Sequence, residues 1–190
     1  VCALTTVSGY LAAAIGHEVH TYAMEPNALT FRRPWDCAFV SSCLASKGST
    51  LVVGDAMHSL TVLTVAEDGS LSESARDLHP YWTSAVCVLD TEQQQYLGTD
   101  VAMNLFVAER AKSTEPESPW SHVMRHAAAC HFGDLVNAMH TLPGGGVMYA
   151  TASGALGTLV RVPEPMACVL LCLQDAMIEA IPAPGDIPWE

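Results

Sequence analysis

The protein is 190 residues long, half of its residues are apolar, and its 8 basic and 20 acidic side chains give a net charge of −12. The basic residues are scattered, which argues against direct nucleic-acid contact, because phosphate backbones are bound through clustered Lys and Arg. The longest fully apolar run, Met166–Leu173, is far shorter than the ~20 residues that a membrane helix needs, so the totals favour a non-membrane protein with protein partners.

Four similar segments recur along the chain, and each begins at a residue that suits a tight turn. They begin at Gly16, Asp55, Asp100 and Ser153, with spacings of 39, 45 and 53 residues. Short apolar runs precede and follow each segment, and runs of this length are typical of antiparallel strands. Units of about 40–45 residues with several short strands are the pattern of a β-propeller blade. The sequence therefore predicts an all-β partial propeller of about four blades.

Two further stretches are predicted to be connections between strands. Ala111–Pro119 is polar and rich in Pro, and as a loop it explains the long spacing before Ser153. Gly144–Gly146 follows Pro143 and lacks the Lys-Ser or Lys-Thr pair of a phosphate-binding loop, so it favours a hairpin turn.

The pattern changes after the fourth segment. Glu164–Ile181 has apolar residues spaced for one face of a helix, with prolines near its start and after its end. The tail Pro182–Glu190 is expected to be extended. We therefore expect blades over residues 1–162 and a helix with its tail over 163–190. A first residue of Val and the lack of a basic leader predict a segment of a longer protein without a signal peptide.

The seven cysteines are odd in number, contain no CxxC pair, and mostly fall inside apolar strand patterns. These features favour buried free thiols in a reducing compartment, such as the nucleus or cytosol, over a framework of disulfides.

Histidine-containing segments raise the question of a metal site. His17-Glu18-Val19-His20 is one residue short of the HExxH spacing and is predicted at a strand turn rather than on a helix. His122 and His126, followed by Cys130-His131, have better spacing but lack a second ligand pair of the CxxC type. We predict no metal site and no cofactor.

Catalytic patterns are equally weak in this sequence. No GxSxG motif occurs, and Asp55 and Asp100 occupy corresponding turns of the repeat. Corresponding positions favour a structural role over a pair of catalytic acids. We therefore expect a protein that is not an enzyme, with a propeller enzyme as the rival hypothesis.

Several motifs carry a family resemblance: Val53-Gly54-Asp55-x-Met57-x-Ser59, Ala75-Arg76-Asp77-x-x-Pro80-x-Trp82-x-Ser84-Ala85-Val86, Leu97-Gly98-x-x-x-Ala102-x-Asn104-Leu105-Phe106-Val107 and His131-Phe132-Gly133-Asp134-x-Val136-Asn137. From Leu4 to about Ile181 the chain resembles the triple-propeller family of cullin-4 ubiquitin-ligase adaptors. That family also includes the large subunit of the cleavage and polyadenylation specificity factor and the propeller subunit of splicing factor 3b. The resemblance implies the second half of the third, seven-bladed propeller.

The resemblance also implies a function. In the adaptors of this family, the third propeller packs against the first, and substrate-receptor proteins insert a helical segment between them. The chain would then be a non-enzymatic scaffold in the nucleus, and also in the cytoplasm, that links receptors to the ligase in DNA repair and protein turnover. Its partners would be receptors and the other propellers of its parent chain. The alternatives are an RNA-processing scaffold of the same family and a small propeller that binds a ligand on its axis.

Six residues are implied as the partner-binding site. Arg76, Trp82 and Asn137 match the adaptors of the family, and Arg and Trp are favoured residues at binding hot spots. At three further positions of the implied surface the chain departs from the adaptors; these are His58, Val101 and Met103. The departures bear on which partner binds rather than on the fold.

Overall fold

The computed structural model describes residues 1–113 and 122–181. Within these residues the chain forms fifteen β-strands followed by one α-helix. The elements are β1 Ala3–Val7, β2 Tyr10–Ile15, β3 Glu18–Glu25, β4 Ala28–Asp36, β5 Ser41–Lys47, β6 Thr50–Asp55, β7 Ser59–Val65, β8 Leu71–Arg76, β9 Thr83–Asp90, β10 Gln95–Asp100, β11 Asn104–Lys112, β12 His122–His131, β13 Val136–Thr141, β14 Val147–Thr151, β15 Leu156–Leu159 and α1 Glu164–Ala180.

Consecutive strands pair antiparallel in four groups, which are blade 1 (β1–β4), blade 2 (β5–β8), blade 3 (β9–β12) and blade 4 (β13–β15). The first strands of neighbouring blades lie beside one another. Thr5 Oγ1 is 2.9 Å from Ser46 Oγ between β1 and β5, and Cys87 Sγ is 3.2 Å from Thr141 Oγ1 between β9 and β13. Successive sheets that turn about a common set of inner strands are the arrangement of a propeller. The predicted all-β partial propeller of four blades is confirmed.

The apolar core lies between the blades, and the run Leu51-Val52-Val53 shows how one strand serves two faces. Leu51 and Val53 belong to the cluster formed with blade 1, whereas Val52 belongs to the cluster formed with blade 3. Successive side chains of a strand point to opposite faces, so a strand buried on both faces reads as an unbroken apolar run. Each blade therefore depends on its neighbours to cover it.

The four repeat positions fall where the sequence predicts turns. Gly16, Asp55, Asp100 and Ser153 all lie at the connection between the second and third strands of their blades. Gly144–Gly146 forms the connection between β13 and β14, with positive φ at all three glycines. A hairpin turn there is confirmed, since only glycine adopts such angles without strain.

The loop predicted over Ala111–Pro119 begins later than expected, because Ala111 and Lys112 still pair with β12 as the last residues of β11. The part of this loop from residue 114 onward lies outside the described residues.

The cysteines are all free, but the prediction that most are buried is wrong. Cys87 is buried and Cys37 and Cys43 are partly buried, while Cys2, Cys130, Cys168 and Cys172 are exposed. The exposed four lie before β1, on the outer strand β12 and on α1, outside the buried clusters between the blades. Burial raises the pKa of the Cys43 thiol to about 12, so it is held as an inert neutral thiol.

The chain divides into two compact units, one over Val1–Leu159 and a second that begins at Val160. The second unit contains α1, which confirms the helix predicted over Glu164–Ile181 to within one residue. Pro163 caps its start and Pro165 lies in its first turn, positions that need no backbone donor. The predicted extended tail, Pro182–Glu190, lies outside the described residues. No described helix is long and apolar enough to cross a bilayer.

Candidate partner-binding rim

The loops that enter each first strand and the hairpins between second and third strands share one end of the blades. Backbone hydrogen bonds connect them in sequence around this end. Ala56 N donates to Val40 O at 2.9 Å, and Ser59 N donates to Tyr81 O at 3.0 Å. The links continue through Val101 N to Trp82 O at 3.0 Å, Phe132 N to Met103 O at 2.8 Å and Ala152 N to Leu135 O at 2.8 Å. The rim loops are thus tied to one another as well as to their own sheets.

Buried carboxylates shape these loops from within. Asp55 is 2% exposed and accepts backbone hydrogen bonds from Phe39, Met57 and His58 at 2.8–3.1 Å. At the corresponding turn of blade 3, Asp100 accepts from the backbone and side-chain nitrogens of Asn104, both at 2.9 Å. Local donors engage both carboxylates, so their repeated position reflects turn architecture, as the sequence predicts.

A third buried carboxylate, Asp77, anchors the loop between β8 and β9. Its Oδ2 accepts from Ser59 Oγ and from His126 Nε2, each at 2.7 Å. Its Oδ1 accepts from the backbone N of His79 at 3.0 Å and lies 2.7 Å from His79 Nδ1. Burial alone would raise the pKa of the Asp77 carboxyl, but the hydrogen bonds from His126, Ser59 and His79 outweigh it and hold that pKa below its ordinary value.

Large apolar side chains point outward from the same loops. Trp82 is 56% exposed, although it directly precedes a strand whose interior is buried. Five others are between 39% and 52% exposed. We define the apolar rim as these six residues: Phe39, Met57, Leu78, Trp82, Val101 and Met103. Single exposed apolar residues are ordinary, whereas a set on adjoining loops is typical of an interaction surface.

Four of the six sequence-predicted site residues lie on these loops. Trp82 and Val101 are joined through the Trp82 O to Val101 N hydrogen bond. Met103 follows two residues later in a left-handed turn with φ of 64°. His58 is exposed on the adjoining hairpin, next to Ser59, whose N bonds to the loop of Trp82 at Tyr81. The structure thus brings these four residues to one end of blades 2 and 3.

Arg76 and Asn137 are placed differently. Arg76 ends β8, and its guanidinium donates to both carboxylate oxygens of Glu73 at 2.8 and 3.0 Å, with only 19% of the side chain exposed. The Arg76 guanidinium is therefore hydrogen-bonded within its own strand. Fewer of its N–H donors can reach a partner than the sequence alone indicates. Asn137 is exposed as the second residue of β13, on blade 4.

Phe39, Met57 and Leu78 complete the rim but are not among the six predicted residues. Phe39 and Met57 face outward because their backbone nitrogens both point inward to Asp55. Leu78 lies between Asp77 and His79, two residues that bond to each other. An apolar residue one or two positions after a turn-forming Asp is the signal that could have identified Met57 and Leu78.

Metal-capable side chains also converge at two places among the described residues. One group is Asp77, His79 and His126, and the other is His17, Glu18 and Asp36. His126 does not share a site with His122, since four residues of a strand span about 13 Å. In the His17–His20 segment, His20 Nε2 instead lies 2.7 Å from Glu18 Oε2.

Comparison with known proteins places the chain in a family. It is 30% identical to DNA damage-binding protein 1 of Drosophila melanogaster over 97% of its length, and 26% and 28% identical to DNA damage-binding proteins 1b and 1a of Arabidopsis thaliana over all of it. The chain spans less than a fifth of the length of these relatives, 17–19%. The model of the CPSF A subunit region matches residues 1–190. With its four blades and that match over the whole chain, the protein belongs to the CPSF A subunit region family.

Proposed function

We propose that the chain is a non-enzymatic docking element of a larger nuclear scaffold, and that its apolar rim receives a segment of a substrate-receptor protein of a cullin-4-type ubiquitin ligase. The observation that carries the proposal is the apolar rim itself. Six large apolar side chains are exposed on loops whose own polar groups are bonded internally. Such loops offer apolar contact area on a backbone that is already ordered, which lowers the entropic cost of binding.

The residue types of the rim suit protein recognition. Trp contributes a broad apolar surface with one donor and is enriched among residues that dominate binding energy. Met57 and Met103 add side chains that adapt to the shape of a partner. An amphipathic helix, which presents apolar residues at i, i+3 or i+4 and i+7, is the partner geometry that we favour for such a surface.

The choice of partner rests on the relatives and on charge. The relatives are named as DNA damage-binding proteins, yet this chain has a net charge of −12. Direct phosphate contact from this segment is therefore unfavourable, and DNA would be engaged by other parts of a complex. A receptor protein that links the scaffold to its targets is consistent with both the names of the relatives and the negative charge of this chain.

The RNA-processing branch of the family is the second candidate, because the matching family model is named for the CPSF A subunit. There too the chain would act as a protein scaffold. The two candidates differ in their partners, so one binding experiment with both sets of partners separates them.

The test is co-purification of the protein with two recombinant panels, one of cullin-4 substrate receptors and one of cleavage and polyadenylation subunits. We expect a receptor to be retained, and Val101→Glu to reduce its affinity at least about tenfold, because a carboxylate placed against an apolar partner must lose its water. Leu29→Glu is the matched control, since Leu29 is 57% exposed on β4 near the opposite end of the blades. Retention only of the RNA-processing subunits would replace the ligase proposal, and equal effects of the two variants would remove the rim from it.

A further inference from the structure

The histidines and the carboxylate beneath the rim form a group that partner docking does not require. Asp77 follows β8 in blade 2, and His126 lies on β12 in blade 3. The two outer strands meet through a single parallel bridge between Arg76 and Val123. One oxygen of Asp77 faces His126 Nε2 and the other faces His79 Nδ1, each at 2.7 Å. All three potential ligand atoms lie within 4.8 Å of one another.

Two imidazoles and a carboxylate are a ligand set that suits Zn²⁺, with bonds of about 2.0–2.2 Å. Each ring nitrogen already lies 2.7 Å from one carboxylate oxygen, so only small shifts of the rings and the carboxylate are needed for all three to share one ion. Each neutral imidazole would only move its proton to its other nitrogen, which frees the inward lone pair. The nitrogen-to-oxygen separations of 2.7 Å would open slightly as an ion takes the place of the shared protons.

The surroundings hold the three ligands in place. The His126 ring stacks on Phe106, with centroids 4.9 Å apart and planes 3° from parallel, and the His79 ring stacks on Tyr81 at 5.7 Å. Ser59 Oγ donates to Asp77, as an outer partner of a metal-bound carboxylate does. The Asp77 side chain is fully buried and that of His126 is 15% exposed, whereas His79 is 50% exposed. The exposed side at His79 provides the path by which an ion and a water ligand enter.

We propose that Asp77, His79 and His126 bind one divalent transition-metal ion, preferentially Zn²⁺, with a water molecule as the fourth ligand. The ion bridges the outer strands of blades 2 and 3 and holds the loop from Asp77 to Trp82 in place. The site is independent of the partner assigned to the rim.

The test is titration of the metal-free protein with Zn²⁺, followed by retained-metal analysis and melting, with Co²⁺ absorption in the visible as a readout of the ligands. We expect one equivalent to bind and to raise the Tm. His126→Gln and His79→Asn should each weaken binding at least about tenfold, since even outer partners of metal ligands are worth 10–100-fold.

His17→Asn is the control, because His17 belongs to the other group of metal-capable residues. If His126→Gln fails to fold, His79→Asn is the decisive variant, because the half-exposed His79 side chain can be replaced with less effect on the fold. Absence of retained metal, or equal Zn²⁺ affinity and the same Zn²⁺-induced rise in Tm in His79→Asn and the unmodified protein, would overturn the site. Loss of binding only in His17→Asn would assign the metal to the other group.

Discussion

Replacing Trp82 with Ala is expected to lower the affinity for a receptor protein by about 30-fold, or roughly 2 kcal/mol, as is typical of a central aromatic residue at an interface. The indole is 56% exposed and does not belong to the buried clusters between blades. Its backbone oxygen, which bonds to Val101 N, is kept in the variant. The Tm should therefore change little, and calorimetric titration of the variant with the receptor measures the loss.

Leu29→Ala is the control for this prediction, because it removes an equally exposed apolar side chain from another part of the chain. We expect it to bind as the unmodified protein does. A fall in the Tm of Trp82→Ala large enough to account for its weaker binding would show that Trp82 stabilises the blade by packing against it and does not contact the partner.

Phe106→Ala is expected to lower the free energy of unfolding by about 3–5 kcal/mol, the cost of a large cavity in a packed core. Phe106 is 1% exposed in the cluster between blades 2 and 3, beside Val52 and Tyr96. Its ring also covers Gly98 of β10, where an added Cβ would collide with it. Urea unfolding followed by fluorescence measures the loss, with the midpoint shifted and the slope unchanged.

Phe31→Ala provides the matched comparison, because Phe31 is 47% exposed on the outer strand β4, where its ring contacts those of His20 and Tyr22. Its loss should cost about 1 kcal/mol, the worth of such ring contacts. Equal costs for the two phenylalanines would contradict a core located between the blades.

The blade repeat could be predicted because its signals are local. Asp55 and Asp100 each accept hydrogen bonds from nitrogens within the next four residues, so much of what shapes these turns is encoded in the short sequence itself. Strand alternation in Leu51-Val52-Val53 is likewise a property of the strand itself, and only the neighbour that each face meets requires the fold.

The difference in burial between Trp35 and Trp82 could not be predicted in this way. Each tryptophan comes shortly before the first strand of a blade, yet Trp35 lies within β4 and packs against the cluster of blades 1 and 2, while Trp82 lies in a loop and is exposed. The loop into β5 takes four residues beyond β4, whereas Trp82 directly precedes β9. The element on which each indole lies therefore depends on where β4 ends and β9 begins, which the tryptophan positions alone do not indicate.

The contact of Asp77 with His126 was also beyond sequence reasoning. The two residues are 49 positions apart and belong to different blades. Asp77 and His126 come into contact only because β8 and β12 pair through one bridge between the blades. No local sequence pattern predicts that pairing. The sequence indicated His126 as a ligand candidate but associated it with His122 and Cys130 on its own strand.

Hydrogen exchange of the receptor-bound protein, compared with the free protein, tests docking at the apolar rim most directly. Docking at the rim should slow exchange in peptides that cover residues 56–58, 78–82 and 101–103. Exchange should stay unchanged in the turns over residues 26–27 and 66–70, which lie at the opposite end of blades 1 and 2. Protection confined to those opposite turns, with none at Trp82 and Val101, would contradict docking at the rim.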